Sequence, residues 1–356
     1  MRIAIIKLGA LGDVVRTTVL LRPLHRRYPG CQIWWYTCAI ARPLLEPNPW
    51  ISRLISIETC STPDAEAEAF DLVICLDDEK GAGVLCASLP AKDRFGAYWD
   101  GAKMRYTPSS RAWFDMGLLN RDADGSLSTA NCLKAQNPKT YPQILFDMLH
   151  LTSFSSDESE PTLPLDMAEE SWAQDFAHRH HLGSSEFKIG LNTGAGSRWI
   201  NKQLSIPMTL RLIDTLGRKP GRPLLLLGGP EETERNQQIF QRTTIPLINT
   251  GTNNSLSRFI SIINLCDAIV TSDSLALHIA AALKKKVIAF FGPTSAPEIE
   301  FYGRGIAWMP RQKCQCFYRP HCLQNDFCLD TVEMLQAADQ LEQWQLNPGS
   351  KIVSMR

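Results

Sequence analysis

Short apolar runs alternate with amphipathic stretches along most of this 356-residue chain. Arg2–Ile6 carries no polar residue after Arg2 and ends at Lys7, the pattern of a parallel strand buried on both faces. A turn over residues 9–13 follows. Val15, Val19, Leu20 and Leu24 then share one face of a helix over 14–27, which Pro29 and Gly30 stop. Further strands are predicted at Gln32–Thr37, 53–57 and 71–76. Strand, helix and strand in this rhythm mean βαβ units and a parallel sheet.

The rhythm weakens between Phe95 and Leu165, a stretch rich in Asp, Ser, Asn, Pro and Gly. It reads as long loops and short helices hung on the first sheet, closing in a linker over 157–164. Strands are predicted again at 187–192, 223–227, 268–271 and 286–291, with helices at 207–217, 231–242, 255–265 and 274–283. Asp330, Thr331, Val332 and Glu333 have the form of a capping box, and Met334, Leu335, Ala338 and Leu341 mark one face of a terminal helix. The expected fold class is α/β, with two Rossmann-like doubly wound domains facing a central cleft. Their expected bounds are 1–165 and 166–330, with a C-terminal helix and tail over 331–356.

Composition narrows the function. The apolar fraction is 44% and the charged fraction 21%, as in globular proteins. A formal net charge of zero supplies no global field toward nucleic acid or an anionic bilayer, so no nucleic-acid partner is expected. No apolar run has the length of a membrane span. The first residues are interrupted at Lys7 and turn through glycines instead of reaching a cleavage site. The expected location is therefore cytoplasmic, with at most peripheral contact at the inner face of the cell membrane. Eleven cysteines, an odd count, argue for reduced thiols over a disulfide framework.

In open parallel sheets the ligand sits beyond the carboxyl ends of the strands. Four turns are placed there. Gly9, Gly12 and Asp13 lack the third glycine of a dinucleotide fingerprint, which lowers the reading as a nicotinamide oxidoreductase. Asp13 reads either as a helix cap or first-turn acid favoured by the helix dipole, or as a general base. In the segment 193–202, the small residues Thr193, Gly194 and Ser197 allow close backbone approach and an anion nest, and Lys202 is a plausible diphosphate contact. Glu231, after Gly228 and Gly229, could accept from ribose hydroxyls or could complement a helix dipole. Asp273, Ser274, Leu275 and His278 open a helix, a natural diphosphate site, with Ser274 and His278 on one face; the other reading is Asp273 as helix cap and His278 as a core histidine.

Taken in order, LGALGDVVRTTVLLRPL, GLNTGAGSRWINKQ, LLLLGGPEE, TSDSLALHIAAAL and AFFGPTS resemble the heptosyltransferases of glycosyltransferase family 9. The resemblance spans residues 2–293 and continues through the cysteine segment. It implies a GT-B fold and an inverting transfer of heptose from ADP-heptose, or a similar nucleotide sugar, to a hydroxyl of the lipopolysaccharide inner core, with no cofactor required for catalysis. Carried over, Asp13 falls on the general base and Lys202 on the donor-phosphate lysine. Glu231 falls on the ribose-binding acid, and Asp273, Ser274 and His278 on the donor-holding motif. Leu275 departs from the glycine usual in the family and puts the fit of the donor in question. A protein acceptor and a non-catalytic nucleotide- or metal-binding regulator are the alternatives.

Two further expectations concern charge and metal. Lys7, Arg94, Lys103, Arg105, Arg111 and Arg121 are expected on the acceptor side, meeting the anionic groups of a glycolipid core. Cys314, Cys316, Cys322 and Cys328 have the residue types for a structural Zn or Fe site, though they read equally as packing thiols.

Overall fold

The computed structural model describes residues 1–59, 69–151, 157–319, 321–322, 327–347 and 349. The last residues of the expected C-terminal tail, 350–356, lie outside the described residues. The chain divides into two compact units, one of Met1–Pro164 with Pro297–Glu300, the other of Leu165–Ala296 with Phe301–Arg356.

The first unit holds a six-stranded sheet. Its strands are β1 (Arg2–Ile6), β2 (Gln32–Thr37), β3 (Arg53–Ser56), β4 (Phe70–Cys75), β5 (Ala91–Trp99) and β6 (Met104–Tyr106), in the order β3-β2-β1-β4-β5-β6. All neighbours are parallel except β5 and β6. Its helices are α1 (Leu11–Thr17), α2 (Leu21–Arg27), α3 (Lys80–Ser88), α4 (Arg111–Phe114), α5 (Ser128–Gln136) and α6 (Tyr141–Met148).

Two sequence expectations change here. The helix expected over 14–27 is interrupted by a 3₁₀ turn at Thr18–Leu20 between α1 and α2. The stretch read as irregular from Phe95 contains most of β5 and all of β6. Exposed Lys92 and Asp93 obscure the apolar pattern of β5, whose buried residues begin only at Phe95. Within it, Gly96 has φ +96°, and a Cβ there would meet the Cys75 carbonyl oxygen at 1.9 Å. Only glycine lets β5 run this close to β4.

The second unit opens on α7 (Met167–Arg179), capped by Asp166, whose side chain accepts from the amides of Ala168 and Glu169. Its strands are β7 (Ile189–Asn192), β8 (Leu224–Leu227), β9 (Leu247–Asn249), β10 (Ala268–Ser272), β11 (Lys286–Phe290) and β12 (Gly305–Trp308). They form a parallel sheet in the order β12-β11-β10-β7-β8-β9. The remaining helices are α8 (Ile206–Gly217), α9 (Thr233–Arg242), α10 (Leu256–Leu265), α11 (Leu275–Ala282) and α12 (Met334–Leu346). Leu191, Leu226, Val270 and Ile288 from the sheet pack with Leu212 and Leu216 of α8 and with Leu341 and Trp344 of α12 in one core.

The terminal helix corrects two details. No capping box forms: Glu333 is the cap residue and makes no side-chain cap bond, while Asp330 accepts from the Ser205 amide at 3.1 Å. The buried face is Met334, Ala337, Leu341 and Trp344, and Leu335 is 67% exposed. Helical spacing fits both stripes; contact with α8 selects this one.

Candidate active site

The topology sets one switch point in each sheet, where neighbouring strands send the chain to opposite sides and leave a crevice beyond their carboxyl ends. In the first sheet this lies between β1 and β4, and in the second between β7 and β10.

At the first switch point the cap of α1 is Ala10, with no side-chain cap bond. Asp13 is the third residue of the helix, so it is not the N-cap residue but stands as an acid in the first turn, where the helix dipole favours it. Its carboxylate is 35% exposed and pairs with Arg16 Nη2 at 2.9 Å and Lys7 Nζ at 3.8 Å. Asp77, just beyond β4, supports this arrangement from below. It accepts from Lys7 Nζ at 3.3 Å and from the amides of Leu8 at 2.9 Å and Gly9 at 3.4 Å. Burial alone would lower the Lys7 ammonium, but Asp13 and Asp77 outweigh it and hold its pKa above the usual lysine value. The neighbouring Asp78 carboxyl is pushed up by burial, with Asp77 and Asp13 adding to the effect against Lys7. Thr17 donates to the Asp13 carbonyl at 2.6 Å, which leaves the Tyr141 hydroxyl, 2.8 Å away, as donor to Thr17.

This corrects the reading of Lys7. It is 6% exposed and enclosed by two carboxylates, so it serves Asp13 and presents no ammonium to an acceptor. The other expected acceptor cations do not gather either. Arg94 donates to the carbonyls of Cys86 and Leu89 at the end of α3, and Arg105 pairs with Asp100. Arg111 pairs with Asp115, Arg121 donates to the Gly125 carbonyl, and Lys103 is exposed on the β5–β6 hairpin.

At the second switch point Lys202 Nζ donates to the Asp273 carbonyl and to its Oδ2, both at 3.1 Å. His278 Nε2 stands 3.8 Å from Asp273 Oδ1. Burial pushes the Asp273 carboxyl up, but Lys202 and His278 overcome it and bring its pKa to about 2. Asn192, at the end of β7, donates to the Gly194 carbonyl, Thr271 Oγ1 and Ser274 Oγ at 3.2, 3.1 and 3.2 Å. Ser274 is the cap residue of α11 and Leu275 its first residue, yet the Ser274 hydroxyl makes no cap bond. It faces Asn192 and Thr271 instead.

The glycine-rich loop differs from the anion nest expected of it. The Gly196 amide donates to Glu232 at 3.0 Å, and the Ser197 amide donates to Glu231. Both amides already serve carboxylates. Glu232, which sequence reading passed over for its exposed neighbour Glu231, is buried and also accepts from the Gly229 amide at 2.9 Å. It therefore staples the loops that follow β7 and β8. Gly194 is required by this staple, since a Cβ there would come within 2.1 Å of Glu232 Cγ. Thr193 is buried and belongs to the same scaffold, with its hydroxyl between Asn236 and Arg235.

The four clustered cysteines fall in two pairs. Cys316 Sγ lies 3.6 Å from Cys322 Sγ. A hydrogen bond from Cys328, aided by the Cys316 amide, lowers the Cys314 thiol to about 6, while Cys328 is pushed up. Among the described residues no three His, Cys, Asp or Glu side chains stand together as a metal-holding group. The cysteine segment nevertheless packs on the loop that carries Lys202: Asn201, beside Lys202, donates to the Arg319 carbonyl at 2.7 Å, and Tyr318 lies edge-on to Trp199. Sequence distance gave no sign of this.

Asp77, Arg16, Asn192 and Glu232 are the site residues that sequence reading missed. Asp77 and Asn192 each follow or end a central strand, the same signal that singled out the four turns.

Comparison with known proteins bears on the family and the fold. Residues 65–326 match the family model of glycosyltransferase family 9 (heptosyltransferase). The chain is 25% identical over 304 residues to lipopolysaccharide heptosyltransferase 2 of Escherichia coli K12, covering 83% of this chain and 84% of that protein. A family 9 glycosyltransferase structure from Veillonella parvula aligns with a TM-score of 0.76 at 20% identity, over 97% of both chains. The E. coli ADP-heptose lipopolysaccharide heptosyltransferase II structure aligns at 0.62 and 21% identity, over 96% of this chain and 100% of the other. These structural likenesses speak for the GT-B fold, with its two parallel-sheet domains. The family match covers well over half of the sequence: this chain belongs to glycosyltransferase family 9.

Proposed function

We propose that this glycosyltransferase moves a heptose from ADP-heptose to a hydroxyl of the lipopolysaccharide inner core, with inversion at the anomeric carbon. The observation that carries this reading is the Asp13 carboxylate, in the first turn of α1 at the switch point of the first sheet, partly exposed and held by Arg16 and Lys7. The matched family span begins at residue 65, so the role of Asp13 rests on this geometry and on the local motif.

In the proposed reaction Asp13 takes the proton of the acceptor hydroxyl as that oxygen bonds to the anomeric carbon. The bond from that carbon to the diphosphate oxygen breaks on the opposite face, and ADP leaves with the electron pair. Lys202 is the cation for the departing diphosphate. An ammonium has three donors, and two of them already serve Asp273, which fixes the direction of the third. The start of α11 at Ser274 and Leu275 adds the positive end of a helix dipole, with His278 one turn on. Glu231 is the acid for the ribose hydroxyls. None of these steps calls on a metal.

Two finer points belong to the same proposal. The internal pairing of Arg94, Arg105, Arg111 and Arg121 favours, as second reading, a protein acceptor for the same donor. For the cysteine segment the proposal is a structural Zn or Fe ion, supported by the close Cys316 and Cys322 sulfurs. Metal analysis of the purified protein tests it, and metal-free protein with full stability would refute it. The reaction itself is tested by ADP release from ADP-heptose with truncated lipopolysaccharide core as acceptor. Transfer from UDP-sugars at an equal rate, or none from ADP-heptose to either acceptor class, would overturn the reading.

A further inference from the structure

The first unit contains a buried carboxylate that no step above uses. Glu298 is 4% exposed and ends a short turn at Ala296–Glu298. Pro297–Glu300 belongs to the first unit although the residues on either side in sequence belong to the second. Glu298 Oε1 stands 3.6 Å from Lys134 Nζ on α5, and Oε2 stands 3.9 Å from Arg16 Nη1 on α1. These are ion-pair distances, and Oε1 makes no hydrogen bond among the described residues. The other end of the same guanidinium reaches Asp13 at 2.9 Å. Arg16 lies over the Tyr141 ring at 4.0 Å and the Trp113 ring at 5.3 Å, and Lys134 lies over Trp113 at 5.3 Å. Asp13, Arg16, Glu298 and Lys134 thus form a chain of alternating charge on an aromatic floor.

We propose that Glu298 is a positioning residue for the general base, acting through Arg16 to keep the Asp13 carboxylate basic enough to accept a proton. The inference rests on the reading of Asp13 as the base. Arg16 alone, paired closely with Asp13, favours the ionised carboxylate and so weakens it as a proton acceptor. Glu298 draws on the same guanidinium from its far side and adds a negative charge in poorly solvated surroundings. Both effects return proton affinity to Asp13. The aromatic floor limits where Arg16 can turn, so the two carboxylates must share it. Lys134 opposes Glu298 and sets how strongly it draws. The other charged or titratable groups facing this centre are Lys7 after β1, Asp77 and Asp78 after β4, and Tyr141 from α6.

Two substitutions separate this from a purely structural role, in which Glu298 only fastens its own segment. Glu298→Gln removes a negative charge and should lower the titration of Asp13, whereas Lys134→Met removes a positive charge and should raise it. The direct measurement is the ¹³C shift of the Asp13 carboxyl against pH in the full-length protein, its signal assigned by its absence from Asp13→Asn. Each shift should be about half a pH unit, in opposite directions, as expected of one charge acting at second-neighbour range in a partly screened site. In ADP release from ADP-heptose, Glu298→Gln should lose about two- to fivefold in kcat with unchanged ADP affinity, following the weaker base. Unmoved titrations, or shifts of the same sign in both variants, would overturn the proposal. If Glu298→Gln does not fold, the upward shift in Lys134→Met carries the test, and its absence overturns the proposal by itself. Failure of the underlying reading looks different: Asp13→Asn would retain turnover whatever the two titrations do.

Discussion

Asp13 and Asp273 are both carboxylates beside cations at a switch point, yet their surroundings give them different duties. Asp13 is partly open to solvent and is not the N-cap residue of α1, so Asp13→Asn should fold normally while turnover falls by about 10²–10⁴, the usual contribution of a positioned base. Thermal unfolding and ADP release measure the two halves of that statement; retention of a tenth of the wild-type rate would leave Asp13 without a role as base. Asp273 is enclosed, and its neighbours depress its pKa from 3.8 to about 2. A depressed carboxylate contributes stability above its unfolded pKa and loses it as pH falls through the folded one. The difference in unfolding free energy between wild type and Asp273→Asn should therefore be full at pH 5 and shrink steadily from about pH 4 to pH 2. A difference that stays constant in acid urea titrations would mean that Lys202 does not hold this charge.

The loops after β7 and β8 are held by Glu232, and this makes two glycines of similar appearance unequal. A methyl group at Gly194 would meet Glu232 at 2.1 Å, whereas nothing lies within 4 Å of one at Gly9. Gly194→Ala should cost about 1–3 kcal/mol, the range for overpacking a filled site, and should weaken ADP binding because the loop bearing Lys202 must move. Gly9→Ala should change stability by less than about 0.5 kcal/mol. Denaturant midpoints and ADP titrations of the two variants decide the matter. Equal losses would show that both turns need glycine for another reason. The same reasoning explains why the Gly196 and Ser197 amides do not form an anion nest: in the folded loops their hydrogen bonds are already made to Glu232 and Glu231.

For the whole molecule, ligand binding should read out as stability. ADP at a hundred times its dissociation constant should add about 2.7 kcal/mol to unfolding, and UDP at the same concentration should add much less. Equal stabilisation would remove the adenine preference from the proposal. The acceptor side predicts a weak salt response. Arg105 and Arg111 are exposed but paired, and such pairs contribute little and are screened over about 8 Å at physiological ionic strength. The Michaelis constant for truncated lipopolysaccharide should rise less than about threefold between 50 and 200 mM salt, well below the response of a surface of free cations. A steep rise would restore the anionic-glycolipid reading of these arginines.

Periodicity was enough to read eight of the twelve strands, the central ones of both sheets among them, because strands buried on both faces must be apolar throughout; the edge strands β6, β9 and β12, of three or four residues, are too short to show a pattern. Asp13, Lys202, Glu231 and the 273–278 turn were singled out because each lies in a turn after a central strand, where open sheets bind ligands. What β5 would be was hidden, since Lys92, Asp93 and Arg94 obscure its pattern and pairing with β4 supplies what the sequence leaves open. The partners of the site residues were hidden more deeply. Glu298 and Lys134 are far from Asp13 along the chain, and Glu232 differs from Glu231 only in the direction its side chain takes. Local pattern sets which segments become strands and helices. Which charges end up sharing one guanidinium is decided only when the sheet and its helices bring distant residues within a few ångströms.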